Sequence, residues 1–504
     1  MFYNFFVIGV RKIKFGRTKE TIGFMNKKIL ILLLAVIAAT SALAFYGCAE
    51  KKTEEPHVAT TIAAAKSADM YVYGYEWGPA VPKIVIEFTD KASGFSKDTF
   101  ALTTSVPNAW GGGNMSTKRV ITDVYSCDER GNKAAGATKY VAIESEVDYN
   151  VASPFVYDMT SGRNNWVSEY KMTLKVNDGK SFTVGSEKYL DGDKFSYTFT
   201  AEDRVVPQTA AWNKDTVTYA ENGKNITLTR ASYAPDGITS DSGKNPLVIW
   251  LHGAGEGGTD IDIDLLGNEV TGLTYENKIN VQHHFAKNGL KGAYVLAVQT
   301  PTMWMDKDGT GTYNNGANES GAQTSYYTEA LWKAITTYVD GNADVDKNRI
   351  YIGGCSNGGY MTMNMMIEHG DYFAAFYPIC EAYRNTRIPD ETIEKIKNYK
   401  MWFLLSEDDK TVSPSDYTLS LYARLIAAGA ENINLTLTAH VVGQDAKKPQ
   451  TAYLSQGHWS WIYAFNDDVK VKFDNSKITG EEYLVSANCT AAGNMWQWIS
   501  EQTK

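Results

Sequence analysis

Residues Gly354-Cys355-Ser356-Asn357-Gly358 fit the pattern G-x-S-x-G. A strand-like run, Arg349 to Gly353, leads straight into it, and a helix-like stretch leaves through Gly358-Gly359-Tyr360-Met361. A serine on so tight a strand-to-helix turn has a strained backbone, and its hydroxyl projects from the turn. Side chains two residues to either side would collide, so glycines stand at 354 and 358. The implied chemistry is nucleophilic attack on a carbonyl, with Ser356 as the nucleophile. The plainer alternative is a serine that only caps the helix.

An unactivated hydroxyl is a poor nucleophile and needs a base. On such an elbow the partners follow in the chain order Ser, Asp, His. The chain has seven histidines. His57, His252, His283 and His284 precede the serine, His369 falls in the helix after it, and His440 lies in the strand-like run Asn434 to Val442. His458, in Gln456-Gly457-His458-Trp459-Ser460-Trp461, occupies a loop beyond that run and is the expected base. The acid holds the imidazole tautomer and stabilises the imidazolium. It should follow the strand-like Met401 to Leu405, where Glu407, Asp408 and Asp409 all stand, and periodicity does not choose among them. The tetrahedral oxyanion needs two backbone N–H groups. One is expected from Asn357, the residue after the nucleophile. The other is expected from Ala254, in the glycine-rich His252-Gly253-Ala254-Gly255-Glu256 loop.

These residues need a scaffold, and the chain supplies two patterns. From about Met70 to Val205 short apolar or alternating runs, such as Lys83 to Phe88 and Tyr170 to Val176, are separated by turn signals. That predicts a β-sandwich. After Val206-Pro207 buried-strand runs (Pro246 to Leu251, Ala293 to Val298, Phe373 to Ile379) alternate with helical stretches, Thr328 to Tyr338 and Gly358 to His369 among them. Ser413-Pro414 reads as the start of a helix reaching about Ala428. Strands alternating with helices predict a mainly parallel sheet covered on both faces. The expected class is therefore α/β, preceded by an all-β sandwich.

Taken jointly, Leu251 to Glu256, Asp346 to Tyr360, Asp409-x-x-Val412, Gly457-His458-x-Ser460-Trp461 and Asn494 to Lys504 give residues 208–504 a clear likeness. This half resembles an α/β-hydrolase esterase of the group spanning feruloyl and acetyl-xylan esterases, polyhydroxybutyrate depolymerases and prolyl-oligopeptidase-like hydrolases. In that group the acid is followed by x-x-Val, so the resemblance favours Asp409. The leading sandwich resembles the immunoglobulin-like domain of a subgroup of secreted esterases, where it is associated with assembly and with the active-site entrance. Two stretches depart from the pattern and leave specificity open: Thr302 to Ser325, and an insertion from Asn466 to Asn488. Trp304, Trp459 and Trp461 are candidate substrate-binding residues, with core packing as the alternative for each. Asp306-Lys307-Asp308-Gly309 faintly resembles a calcium loop, but the later ligands are missing, so no metal is expected. No cofactor is expected either.

At the front, Ile29 to Tyr46 is an uncharged apolar run preceded by Asn26-Lys27-Lys28. This is a secretory signal pattern, and Met25 is the expected start. Ala42-Leu43-Ala44 would suit ordinary cleavage. Gly47-Cys48 resembles a bacterial lipoprotein signal, which makes Cys48 the expected lipid attachment site. The segments are 1–48 for the signal, 49–69 for a tether, 70–205 for the sandwich and 206–504 for the hydrolase. The expected location is outside the cytoplasm, at the cell surface or secreted.

Composition agrees. Hydrophobic residues make up 43% and charged residues 21% of 504, which excludes a mainly disordered or multi-span chain. With 49 basic and 58 acidic residues the net charge is −9, so nucleic acid is not an expected partner. Five cysteines do not make a disulfide framework. The expected partners are an ester substrate, which could be linked to plant polysaccharide, and a membrane if Cys48 is lipidated. A homo-oligomer is left open. The competing functions are a prolyl-oligopeptidase-like serine peptidase and a non-catalytic surface binding protein.

Overall fold

The strand that precedes the elbow, Val345–Cys355, lies near the middle of an eight-stranded sheet. In chain order its strands are Asn213–Glu221, Lys224–Tyr233, Asn245–Leu251, Tyr294–Gln299, Val345–Cys355, Ala375–Ile379, Met401–Ser406 and Ile433–Thr438. In space they run first, second, fourth, third, then fifth to eighth. The first two form an antiparallel hairpin, and the second pairs antiparallel with the fourth. All later pairings are parallel. The third to seventh strands are buried nearly throughout, which is why they read as apolar runs rather than alternations. The molecule is a computed structural model that describes residues 57–107, 114–148, 151, 153–274, 281–312, 323–443, 457–475 and 491–504.

The parallel order places the C-terminal ends of the third to eighth strands on one edge, where the loops carrying chemistry gather. Helices Thr328–Gly341 and Asn357–His369 lie where the periodicity predicted them. The helix expected from Ser413-Pro414 begins later, at Thr418–Ala427. Residues 414–417 form turns instead, with Asp416 N donating to Ser413 O and Leu419 N to Pro414 O. The leading hairpin was not anticipated. Its signal is Asn222-Gly223, whose φ values of 54° and 76° are both left-handed, flanked by alternating residues.

The N-terminal part is a β-sandwich. One sheet contains Ala65–Tyr75, Gly78–Phe88, Tyr140–Ser145 and Ile121–Cys127, and the other is built on Tyr170–Val176 between Phe100–Pro107 and Lys194–Phe199. Its first long strand starts at Ala65, and Ile62 is already buried. The stretch assigned as tether therefore ends earlier than residue 69, because Ile62 and Ala64 are drawn into the sandwich core. The signal segment and Cys48 lie outside the described residues. Among the described residues no helix is long and apolar enough to cross a membrane.

The two domains pack within one compact unit, His57 to Lys504. Leu266, on the hydrolase helix Ile261–Gly267, is fully buried among the core residues of the sandwich. Asn466 Nδ2 donates to buried Glu76 Oε2 at 2.8 Å, and Gly74 N donates to Gln208 Oε1 at 2.6 Å. Truncating Leu266 would open a cavity shared by both domains. Leu266→Ala should cost about 2–5 kcal/mol of unfolding free energy, as typical for buried leucines. Urea unfolding followed by tryptophan fluorescence would read it; a loss below about 1 kcal/mol would mean that the domain contact is not tight.

Candidate active site

Ser356 has φ 54° and ψ −114°, a conformation few side chains tolerate. Its neighbours hold it there. A Cβ on Gly354 or Gly358 would run into the Leu251 carbonyl, at the end of the adjacent parallel strand. The glycines thus admit a neighbouring strand, rather than only clearing each other as sequence reasoning had it. Ser356 N donates to Ile379 O at 2.9 Å, pinning the turn from the opposite side. Asn357 is the first residue of the following helix, so its N–H has no acceptor within the helix.

His458 Nδ1 lies 2.7 Å from Asp409 Oδ2. Asp409 is held in turn: its Oδ1 accepts from Thr411 N at 2.8 Å and Val412 N at 2.9 Å. That arrangement explains the x-x-Val spacing, since the backbone of residue 412 closes the turn around the carboxylate. Of the other two carboxylates, Asp408 pairs with Ser406 Oγ and with exposed His440 at 3.0 Å, and Glu407 is exposed. His458 is mostly buried, with 12% of its side chain exposed, which disfavours the imidazolium, but the Cys380 sulfur and the Asp409 carboxylate beside it outweigh burial and raise its pKa to about 10. Cys380 was not singled out as a site residue. It follows the sixth strand with φ 37°, and its N–H donates to Leu404 O. Ser356 and His458 line one cavity of about 870 Å³. The Ser356 hydroxyl and the His458 imidazole face this cavity without a hydrogen bond between them.

Ala254 and Asn357 line the same cavity. The loop bearing Ala254 is locked by His252, fully buried after the third strand. Thr300 N donates to His252 Nε2 at 3.1 Å, so the ring proton sits on Nδ1 and donates to Gly253 O at 2.6 Å. Burial lowers the His252 pKa to about 4 against the help of that carbonyl, so the ring is neutral. Gly253 N donates to Asn268 Oδ1 at 3.3 Å.

The tryptophans divide. Trp459 and Trp461 line the cavity. Trp304 does not. It is fully buried, with its ring 5.2 Å from His252 and further contacts in the hydrolase core. Its backbone N–H donates to Asn357 Oδ1 at 2.5 Å, so the segment shapes the site through the main chain. The neighbouring Asp306 is no calcium ligand in waiting. Its carboxylate accepts from Asp308 N, Gly309 N, Gly311 N and Thr302 Oγ1. Parts of the two departing stretches, residues 313–322 and 476–488, lie outside the described residues.

The far wall comes from the sandwich. Trp77, Phe155 and Tyr157 line the cavity. Asn164, on the hairpin Phe155–Asp158 and Arg163–Trp166, donates through Nδ2 to Glu256 Oε1 at 3.0 Å. Trp166 Nε1 donates to Asp260 Oδ2 at 2.8 Å, and Arg163 Nη1 to Pro301 O at 2.6 Å. Burial pushes the Glu256 carboxyl up to about 7, against hydrogen bonds from Asn164 and Asn268. The folded state thus keeps a proton that the unfolded chain releases above 4.5, its ordinary value. This contribution is full at acid pH and is lost as pH rises through about 7. The difference corresponds to about 3 kcal/mol. The parent should lose that much more stability than Glu256→Gln between about pH 5 and pH 8, measured by urea unfolding. Parallel pH profiles would show that Glu256 is not the titrating group.

Residues 67–186 match the family model described as the esterase Ig-like N-terminal domain, and residues 329–425 match the prolyl oligopeptidase family. No curated protein matches the chain. Among solved structures, one described as a thermostable esterase has a TM-score of 0.59 at 21% identity, over 87% of this chain and all of that one. A ferulic acid esterase gives 0.32 at 13% identity, over 45% of this chain and 89% of that one. An acetyl xylan esterase from Paenibacillus sp. R4 gives 0.29 at 14%, over 45% and 82%. The likeness to the thermostable esterase establishes a shared fold. The chain is thus an Ig-like β-domain followed by an α/β-hydrolase domain, and its family matches support a serine esterase.

Proposed function

We propose that the chain is a serine carboxylic-ester hydrolase working through an acyl-enzyme. The observation that carries the proposal is convergence. A strained Ser356, the His458–Asp409 pair at 2.7 Å and the Ala254–Asn357 backbone all meet at one cavity. In the proposed reaction Ser356 Oγ attacks the ester carbonyl carbon while His458 Nε2 takes the hydroxyl proton. The carbonyl electrons move onto oxygen, and the Ala254 and Asn357 N–H groups stabilise the charge. Collapse breaks the bond to the alcohol oxygen, which receives the proton from His458. Water then attacks the acyl-enzyme with His458 as base, releasing the acid and restoring Ser356. Asp409 holds the imidazole with its proton on Nδ1 throughout.

The proposed location is outside the cytoplasm, as a surface lipoprotein anchored at Cys48 or as a secreted protein. The motif around Cys48 and the apolar run before it support this reading. The proposed substrates are acyl esters on plant polysaccharide. The aromatic wall of Trp77, Phe155, Tyr157, Trp459 and Trp461 suits planar acyl groups or sugar rings. The match of residues 329–425 to the prolyl oligopeptidase family favours a second reading, a serine peptidase.

Purified protein should hydrolyse short-chain p-nitrophenyl esters and methyl ferulate, and Ser356→Ala should abolish both activities. Asp409→Asn should lower kcat by about 10⁴-fold with Ser356 intact. Because Asp409 helps to raise the His458 pKa, the same substitution should also move the acid limb of kcat/KM to lower pH. Cleavage of peptide anilides without ester hydrolysis would favour the peptidase. Ligand binding without either activity, in folded protein, would leave a binding protein.

A further inference from the structure

We infer a metal-binding site at His283, His284 and Asp467, none of them a residue of the proposed triad. The two histidines end the 3₁₀ turn Val281–His284, and their rings lie 3.8 Å apart. Both present Nε2 to one oxygen. His284 Nε2 is 3.0 Å and His283 Nε2 3.9 Å from Asp467 Oδ2. One ligand atom from each of the three residues lies within 4.8 Å of the other two.

The chemistry of this set is specific. Two imidazoles and a carboxylate suit a borderline divalent cation such as Zn²⁺, with water in the fourth position. Metal–ligand bonds of about 2.0–2.1 Å in a tetrahedron give ligand–ligand edges of about 3.3 Å. The 3.0 Å edge is already near that length. The 3.9 Å edge closes by a small rotation of the His283 side chain, which is 57% exposed. The carboxylate is already oriented. Asn494 Nδ2 donates to Asp467 Oδ1 at 3.1 Å, which holds the carboxylate with both oxygens 3.0 Å from His284 Nε2 and Oδ2 3.9 Å from His283 Nε2. Such outer hydrogen bonds are a common feature of metal sites.

The position gives the site a role. Asp467 follows the short helix Trp461–Phe465, three residues beyond His458. Asn494 caps the last helix, Met495–Ser500. A bound cation would cross-link the turn at 281–284 to the segment that carries the base and, through Asn494, to the terminal helix. The site is thus a structural staple, and its binding free energy adds to that of folding.

The test uses purified protein stripped by a chelator, with Zn²⁺ and then Co²⁺ as probes. One Zn²⁺ per chain should bind and raise Tm. His283→Ala and Asp467→Asn should each weaken binding more than about 10-fold and remove the rise in Tm. His283 is exposed, so its truncation leaves the fold intact. Ser356→Ala should bind Zn²⁺ as the parent does. Co²⁺ should give a visible spectrum without a thiolate charge-transfer band. Absence of binding, or binding unchanged in both variants, would overturn the proposal. A thiolate band would do so too, because it would put the metal on Cys380 beside Asp409 and His458, whose ligand atoms are also close together.

Discussion

The approach of the Leu251 carbonyl to Gly354 and Gly358 is the contact on which the site depends. Parallel pairing sets Leu251 opposite Gly354, so one strand ends where its neighbour turns. Two consequences follow. The turn is forced tight enough to hold Ser356 at positive φ and to start a helix at Asn357. The loop that begins at His252 also leaves the sheet right beside that helix's N-terminus. Backbone packing thereby brings Ala254 and Asn357 to one cavity, and in the proposed reaction their N–H groups stabilise the oxyanion without reorganisation. A single methyl group on either glycine would drive the strands apart and separate them.

The loop itself is held by uncharged groups. His252 is neutral and spends both ring nitrogens on backbone, one toward Thr300 and one toward Gly253. Asn357 accepts from the main chain at 304 and 305, which ties the following segment to the same point. Glu256 closes the far side by accepting from Asn164 of the sandwich. The Ig-like domain therefore supplies part of the cavity wall and a hydrogen bond to the loop that carries Ala254. Its packing reaches the chemistry through three residues: Asn164, Glu256 and Ala254.

Much of this was legible because it rests on local rules. The elbow is visible at Gly354 to Gly358 since strain demands small neighbours, and the buried strands show as unbroken apolar runs. Choosing Asp409 needed a family likeness, because three adjacent carboxylates follow the seventh strand and only the turn at Thr411–Val412 distinguishes them. The roles of Trp304 and Cys380 were hidden for another reason. Whether a tryptophan faces a cavity or the core depends on the path of the whole chain, and Trp304 is aimed inward by main-chain bonds to Asn357. Cys380 meets His458 only through strand order, since its neighbour Ile379 pairs with Leu404 of the strand leading to Asp409. The insertion of sandwich residues into the cavity is equally non-local, with Asn164 and Glu256 separated by 92 residues.

The electrostatics of the buried acids then follow a single logic. Glu256 shares the oxyanion loop with Ala254, and Asp264 lies buried nearby with its pKa raised well above the usual carboxylate range, by burial first and then by Glu256. An ionised carboxylate at either position would oppose the negative charge that forms on the substrate oxygen, most strongly in a water-poor cavity. Burial keeps both protonated over the acid range, so the loop presents dipoles rather than charge. His458 imposes the opposite requirement, because it must be unprotonated to accept the serine proton. The two requirements pull against each other, because the His458 pKa is raised to about 10, above the value of about 7 to which burial brings Glu256. Substrate entry changes that balance in a definite direction. In the proposed reaction it displaces water from around the imidazole, which disfavours the imidazolium, and it also favours the neutral form of Glu256. Filling the cavity thus brings the two requirements closer together, and the aromatic wall contributed by the sandwich is part of what encloses it.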